Sequence, residues 1–138
     1  MPSKLNPYLS FDGKAQEAMK YYETVFGGEL TMTTFKEGGM PHDEADADKL
    51  MHAMLVADNG ITLMAADTTA EMHTKQGNNI AISLSGHDQD ELTAYWEKLA
   101  DGGTVTVPME KAPWGDMFGM LTDKFGIGWM VNITAKKE

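Results

Sequence analysis

Apolar and polar residues alternate in two short stretches of the chain, residues 5–11 and 79–86. A period of two is typical of a β-strand that buries one face, so both stretches are predicted to be strands. The apolar faces, which we expect a helix to cover, carry Leu9, Phe11, Ile80, Ile82 and Leu84. The opposite faces, which we expect to be open, carry Asn6, Tyr8, Ser10, Asn79, Ala81 and Ser83.

A stretch with apolar residues at steps of three and four follows each of these strands. This spacing indicates amphipathic helices over residues 14–26 and about 88–100. Asp88 is the expected N-cap of the second helix, with Glu91 three residues later. A glycine pair is expected to end each helix, Gly27-Gly28 in the first and Gly102-Gly103 in the second.

Three further strands are predicted after each helix, over residues 29–35, 50–57 and 61–66 and again over 104–109, 117–122 and 127–133. Asn59-Gly60 is a strong signal for a hairpin turn. Residues 37–49 hold two glycines, a proline and five acidic residues, and are predicted to be a loop. Residues 67–77 are polar and lack a period, and we interpret them as a linker.

The order strand, helix and three strands therefore occurs twice. Adding 73 to a position in the first half pairs Asn6 with Asn79, Ser10 with Ser83 and Gly13 with Gly86, and the offset becomes 75 after the helices. The predicted fold is α+β, a single domain over residues 1–138 built from two tandem βαβββ modules, about 1–68 and 77–138. Their curved mixed sheets are expected to enclose a cleft that binds a small molecule.

Composition narrows the classes of function. The chain has 138 residues, of which 42% are hydrophobic, and it is long enough to bury a core. Its net charge of −10 argues against nucleic acid and anionic membranes as partners. It contains no cysteine, which excludes disulfides and thiol catalysis. Because neither a membrane span nor a signal peptide is recognisable, a cytoplasmic location is expected.

Several motifs resemble those of a known family. The chain is similar to the vicinal oxygen chelate superfamily, which includes glyoxalase I, extradiol dioxygenases and bleomycin-resistance proteins. It most resembles the PhnB-like branch, also labelled 3-demethylubiquinone methyltransferase-like. The motifs that carry the resemblance are Asn6-Pro7-Tyr8-Leu9, Tyr21-Tyr22, Val25-Phe26-Gly27-Gly28, Met51-His52-Ala53, Gly102-Gly103-Thr104-Val105, Trp114-Gly115-Asp116-Met117-Phe118-Gly119, Phe125-Gly126, Trp129 and Val131-Asn132.

The resemblance also implies four metal-ligand positions, which metal-dependent members fill with two histidines and two glutamates. Carried over by strand register, these positions are Asn6, Thr62, Asn79 and Met130. Neutral amide, hydroxyl and thioether groups are poor ligands for a hard or borderline divalent ion. No metal at the standard position, and no cofactor, is therefore expected. The methyltransferase label implies no activity either, since the chain lacks a glycine-rich Rossmann loop.

His52 is the candidate catalytic residue. Strand parity places it on the open face with Met54, where it could act as a general base or donate a hydrogen bond to a substrate. The alternative is a histidine bonded within the sheet or at a dimer seam. The other three histidines are His42 in the acidic loop, His73 in the linker and His87 at a helix start, and we expect all three to be solvated.

The candidate ligand-binding residues are Tyr8, Ser10, Met54, Met64, Trp114 and Met130. Trp114 could stack on a flat ligand, or pack in the core across the two halves. Five methionines, Met32, Met54, Met64, Met117 and Met130, could line an apolar cleft, whereas Met19 and Met120 are expected in the core. Trp129 is expected to face the helix layer.

These features favour a PhnB-like small-molecule-binding protein, without the standard metal site, that takes an apolar or aromatic compound. Two alternatives remain. One is a metal-dependent lyase, isomerase or dioxygenase of the glyoxalase type that uses metal through unexpected ligands such as His52, and the other is a metal-free enzyme with His52 as base. Whether the protein is an enzyme therefore stays open. Exposed sheet edges favour a homodimer.

Overall fold

The computed structural model describes residues 3–39, 44–68 and 76–134. The chain divides into two compact units, residues 1–75 and 76–138, which are described one at a time. In each unit, four strands form a mixed sheet with one long helix packed on it. The predicted α+β fold with two βαβββ modules is confirmed.

Unit 1 contains β1 (Tyr8–Phe11), α1 (Ala15–Phe26), β2 (Glu29–Thr34), a one-turn helix α2 (Phe35–Gly38), a 3-10 turn (Glu44–Asp46), β3 (Leu50–Val56) and β4 (Thr62–Asp67). The strand order is β1-β4-β3-β2. Only the pairing of β1 with β4 is parallel, and α1 carries the chain from β1 at one edge of the sheet to β2 at the other. The apolar stripe of α1 covers one face of this sheet, where Ala53, Leu55 and Leu63 are buried.

Unit 2 repeats the pattern with β5 (Ala81–Gly86), α3 (Gln89–Ala100), β6 (Thr104–Lys111), β7 (Met117–Thr122) and β8 (Gly128–Ile133). Its strand order is β5-β8-β7-β6, and again only one pairing, that of β5 with β8, is parallel. Asp88 caps α3 by accepting a hydrogen bond from the Glu91 N–H at 3.1 Å, as predicted. Trp129 is fully buried on the helix side, also as predicted.

The two units differ in how they satisfy buried polar groups. In unit 1 the N-cap position of α1, Lys14, makes no capping hydrogen bond with its side chain. The carboxylate of Asp67 instead accepts from the Ala15 N–H at 2.9 Å and from the Leu50 N–H at 2.9 Å. Asp67 is only 3% exposed, so it ties α1, β3 and β4 together. The prediction that residue 67 begins a polar linker is therefore wrong.

The predicted glycine pairs allow close packing of the chain as well as ending the helices. A Cβ on Gly28 would collide with the Val56 carbonyl, and one on Gly103 would collide with the Thr122 carbonyl. Both glycines therefore allow the chain to pass closely over the end of a strand, β3 in unit 1 and β7 in unit 2. Gly28 also has a φ of +95°, which disfavours any L side chain.

Several predicted boundaries are wrong, for local reasons. The strand predicted from Leu5 begins at Tyr8, and Leu5 is fully exposed. Ile80 is 81% exposed because β5 begins one residue later, so it does not face the helix. The strand predicted to reach Phe35 ends at Thr34, where a capping box with Glu37 starts α2.

The loop predicted over residues 37–49 holds more structure than expected. Residues 40–43, which include His42, lie outside the residues that the structure describes. Asp46 is buried in the 3-10 turn and pairs with Lys49 at 3.0 Å. The expectation of a wholly solvated acidic loop is therefore wrong at Asp46. None of the helices in the described part of the chain has the length and apolar character that a membrane span requires.

Candidate functional site

The face of sheet 1 opposite α1 carries a row of side chains across all four strands. Tyr8 pairs with Met64, Met64 with Met54, and Met54 with Thr31. Directly paired residues share a face, and their sequence neighbours Ala53, Leu55, Leu63 and Ala65 are buried under the helix. This row therefore lies on the open face, as predicted for Tyr8, Met54 and Met64.

His52 lies on the same open face, two residues before Met54. Its ring centroid is 6.0 Å from that of Tyr8, with the ring planes at 38°. Ser10 pairs with Ala66 on β4 and is exposed on this face too. The fold thus brings together the candidate residues of unit 1. The roles suggested for His52, as a general base or a hydrogen-bond donor, stay predictions.

The open face of sheet 2 follows the same register. Met130 pairs with Ser83 on one side and with Met120 on the other. All three residues are exposed or half-buried. Met130 was predicted to lie there, whereas Met120 was expected in the core and that expectation is wrong.

Two other methionines also lie on the side opposite to the one suggested. Met32 pairs with the buried Ala53, and Met117 pairs with the buried Ile133, which puts both on the helix side of their sheets. Met117 lines a cavity of about 630 Å³ near the start of α3, with His87 and Asp90 among the other lining residues. His87 is exposed, as expected.

Trp114 is carried on a short hairpin loop between β6 and β7. The Ala112 N–H donates to the Asp116 carbonyl at 2.7 Å, which closes the loop, and Gly115 supplies a φ of +100° within it. Pro113, which begins the turn, has its φ restricted by its own ring. Trp114 is 61% exposed, so it is not packed in the core of unit 2.

A chain of hydrogen bonds holds this exposed indole in place. The Trp114 Nε1–H donates to Asn132 Oδ1 at 3.2 Å, and Asn132 Nδ2 donates to Asp116 Oδ2 at 3.0 Å. The order of donors is fixed chemically, because indole can only donate and a carboxylate can only accept. Phe118 adds an edge-on contact with the Trp114 ring at 5.5 Å between centroids.

Sequence reasoning missed three of these residues, although some signals for them existed. Asn132 lies two positions after Met130 in β8, so strand parity alone places it on the same face. Phe118 lies two positions before Met120 in β7, and because Met120 was expected in the core, the same parity argument would have placed Phe118 there too. Asp116 could have been suspected only from its place at the end of the loop, because its partner is set by the hairpin geometry.

The carried-over metal positions do not form a suitable ligand set. Asn79 is exposed and precedes β5, whereas Met130 lies opposite Ser83. Asn6, Thr62, Asn79 and Met130 offer neutral oxygen and thioether donors, which do not fit the divalent ion of the metal-dependent relatives. Across residues 3–39, 44–68 and 76–134, no group of three or more histidine, aspartate or glutamate side chains could hold a metal ion. His73 lies outside these ranges.

Two sheets of four strands, each with a helix on one face and open on the other, define the glyoxalase-like class of folds. The chain belongs to the glyoxalase/bleomycin resistance protein/dioxygenase superfamily, whose family model matches residues 4–131. The comparisons bear out the family resemblance seen in the sequence.

Individual relatives cover nearly the whole chain. Protein YjdN of Escherichia coli is 27% identical, with 96% of this chain and 97% of that protein aligned. The crystal structure of protein PA1353 from Pseudomonas aeruginosa is 35% identical, with a TM-score of 0.85, and covers 98% of this chain and 100% of that one. A putative 3-demethylubiquinone-9 3-methyltransferase, PhnB protein, from Bacillus cereus shares the fold at 24% identity, with a TM-score of 0.75 and coverage of 96% and 100%.

Proposed function

We propose that the chain is a small-molecule-binding protein that takes an apolar or aromatic compound on the open face of sheet 2, without a metal at the family's standard position. The observation that carries this proposal is the exposed indole of Trp114, held by Asn132 and Phe118. An exposed tryptophan normally gains by burial, so a side chain kept in the open by specific bonds favours a binding role.

Preorganisation supports the same conclusion. A ligand that stacks on a fixed ring does not have to immobilise it, so less conformational entropy is lost on binding. On the same face of sheet 2, Met120 and Met130 offer flexible apolar surface that adapts to ligands of different shape. Asp116 and Asn132 add polar groups that would orient a bound compound.

The superfamily's description covers enzymes as well as resistance proteins, so family membership alone does not choose between catalysis and binding. The donor set at the carried-over positions argues against a metal-dependent enzyme that uses the family's standard site, but it does not bear on one that holds its metal through other ligands such as His52. A metal-free enzyme with His52 as base would show a turnover with a pH profile that disappears in the His52→Ala variant.

The binding proposal is tested with a neutral aromatic probe, N-phenyl-1-naphthylamine, titrated into the whole protein and followed by its fluorescence. We expect saturable binding that weakens about tenfold in Trp114→Ala, because an aromatic contact contributes about 0.5–1.5 kcal/mol beyond the area that it buries. Asn132→Leu should weaken binding less, since it frees the ring without removing it.

Trp96→Phe is the matched control, because Trp96 belongs to α3 and contacts the helix side of sheet 2 at Gly119. It should bind the probe as the unmodified protein does. Equal affinities of the unmodified protein and Trp114→Ala, with both folded by circular dichroism, would contradict the proposal.

A further inference from the structure

A pair of methionines faces each other across neighbouring strands at the same place in both units. Met54 pairs with Met64 between β3 and β4, and Met120 pairs with Met130 between β7 and β8. Adding 66 to the first pair gives the second, so these are equivalent positions of the duplicated module. All four side chains are half-buried on an open face.

The units differ at the neighbouring position on the same face. Unit 1 has His52 there, and unit 2 has Phe118, which is again 66 residues later. Unit 1 therefore combines two thioethers with an imidazole, whereas unit 2 combines two thioethers with an aromatic ring that contacts Trp114. Only the first combination offers three metal-ligating side chains.

We propose that Met54, Met64 and His52 bind one soft monovalent metal ion, Cu(I), on the open face of sheet 1. Thioether sulfur selects Cu(I) over the hard divalent ions, and neutral imidazole is the commonest metal-ligating side chain. The residues differ from the positions that the family resemblance implied for a metal. The proposal is independent of ligand binding at Trp114.

The register of the sheet brings the three groups within reach of one ion. Directly paired residues have Cβ atoms about 4.5–5.5 Å apart and diagonal neighbours about 7–8 Å apart. Met54 and Met64 are such a direct pair, and His52 is the diagonal neighbour of Met64. Ala66, which the register places opposite His52, adds only a methyl group beside these side chains, and the Tyr8 ring lies 6.0 Å from the His52 ring.

Ag(I) is the probe, because it has the same charge and soft character without the redox chemistry of Cu(I). The chain contains no cysteine, so no thiol competes for the ion. The protein, labelled with 13C at its methionine methyl groups, is titrated with Ag(I) and followed by NMR. We expect the Met54 and Met64 methyl signals to shift together and to saturate at one ion per chain, while the Met120 and Met130 signals remain in place.

Exchanging the residues that differ between the units gives two opposite tests. His52→Phe copies unit 2 and should weaken Ag(I) binding at least tenfold. Changes to groups that only support a metal ligand already cost about 10–100-fold in metal affinity, and the loss of the ligand itself should cost no less. Phe118→His copies unit 1 and should create a second site, with saturation at two ions and shifts at Met120 and Met130.

Met54→Leu with Met64→Leu should abolish the site, and the matched pair Met120→Leu with Met130→Leu should retain it. Circular dichroism confirms that each variant is folded. Unchanged saturation in His52→Phe, or in the Met54→Leu and Met64→Leu double variant, would overturn the proposal. Because the naphthylamine probe reports on Trp114, the two proposals can fail separately.

Discussion

Asp123 and Trp129 form a buried polar pair that unit 1 lacks. Asp123 accepts from the Trp129 Nε1–H at 2.8 Å with one oxygen, and from the Phe125 and Ile127 N–H groups with the other. Both residues are almost fully buried. The equivalent positions in unit 1, 66 residues earlier, hold Ala57 and Leu63. Unit 2 thus has a carboxylate and an indole where unit 1 has two apolar side chains, and the two polar groups satisfy each other.

This pairing predicts strong coupling between the two positions. Asp123→Ala leaves the buried indole N–H without this acceptor, so it should destabilise the protein by about 1–3 kcal/mol more than it does in a Trp129→Phe background. Phenylalanine removes the donor and keeps an aromatic ring in the core. The four proteins of the cycle are unfolded in urea to measure the coupling.

Asp123→Ala combined with Leu99→Val is the control cycle. Leu99 is a fully buried residue of α3 whose apolar side chain cannot hydrogen-bond to Asp123. That cycle should show much less coupling. If the effects of the two substitutions on stability were additive in both cycles, the hydrogen bond between Trp129 and Asp123 would contribute nothing specific to stability.

Much of the residue-level placement could be read from the sequence, and the failures have physical causes. Period-two alternation placed Tyr8, Met54, Met64 and Met130 on the open faces because their neighbours are strongly apolar. It failed for Met32, whose strand is rich in threonine and gives no clear inner face. The contacts of Trp114 depend on a hairpin loop that brings it to β8, and no local pattern encodes that distance.

At the level of elements, a lysine links three segments of unit 1. Lys49 Nζ lies 3.0 Å from Asp46 in the 3-10 turn and 3.7 Å from Asp12, which follows β1. The hydrogen bond with Asp46, and then the charges of Asp46, Asp12 and Asp67, raise the pKa of Lys49 above its ordinary value of 10.5. The charged lysine therefore stabilises the arrangement of these elements.

The sign of this shift predicts a stability effect at alkaline pH. A raised folded-state pKa stabilises the fold fully below the ordinary value of 10.5, and the contribution is lost as the pH rises through the folded-state pKa. Lys49→Met should therefore lower the melting temperature at neutral pH, and this deficit should shrink above about pH 10.5. Thermal unfolding monitored by circular dichroism across this range measures both effects.

Lys20→Met is the comparison variant, because Lys20 is exposed on α1. Its melting temperature should follow that of the unmodified protein at every pH. A deficit in Lys49→Met that stays constant up to the highest pH would show that its packing, rather than its charge, is what matters.

The order of the elements was predictable because each element has a local signal. The residues at which the elements begin and end were harder to predict. The Asp88 cap and the two glycine pairs are such signals and proved correct. The start of β1 depends on where β4 begins, and Leu5 has no partner strand within the described residues. Asp67 was assigned to the polar linker because a carboxylate at the end of a strand gives no sign of burial in the sequence. Its burial depends on two backbone donors that come from α1 and β3.

At the scale of the whole molecule, the two units share one frame of strands but differ in the side chains on their open faces. The offset of 66 aligns β4 with β8 residue for residue, and β3 with β7 except for the first residue of β3. Within this frame, unit 1 carries His52 and Tyr8, and unit 2 carries Phe118 and Trp114. A protein with two equivalent surfaces of different chemistry can take two different ligands, and the metal and aromatic proposals use one surface each.

Whether two copies of the chain associate is the prediction that belongs to the whole molecule. The eight residues of β6, an outer strand of sheet 2, are all exposed except one, and they include Val105 and Val107. An outer strand with exposed apolar residues favours pairing with another chain. Each chain carries a net charge of −10, so the charges of two copies repel each other. We therefore expect a homodimer that strengthens with salt.

Sedimentation velocity at low and at high salt measures this, and the dissociation constant should fall several-fold as screening increases. Val107→Lys should weaken the dimer, because a charge on an outer strand opposes pairing. Ile80→Lys changes the net charge equally at a position that is 81% exposed and lies outside β6, and it should leave the dimer intact. A chain that stays monomeric at every salt concentration would rule the dimer out. Equal weakening by both variants would place the interface away from β6.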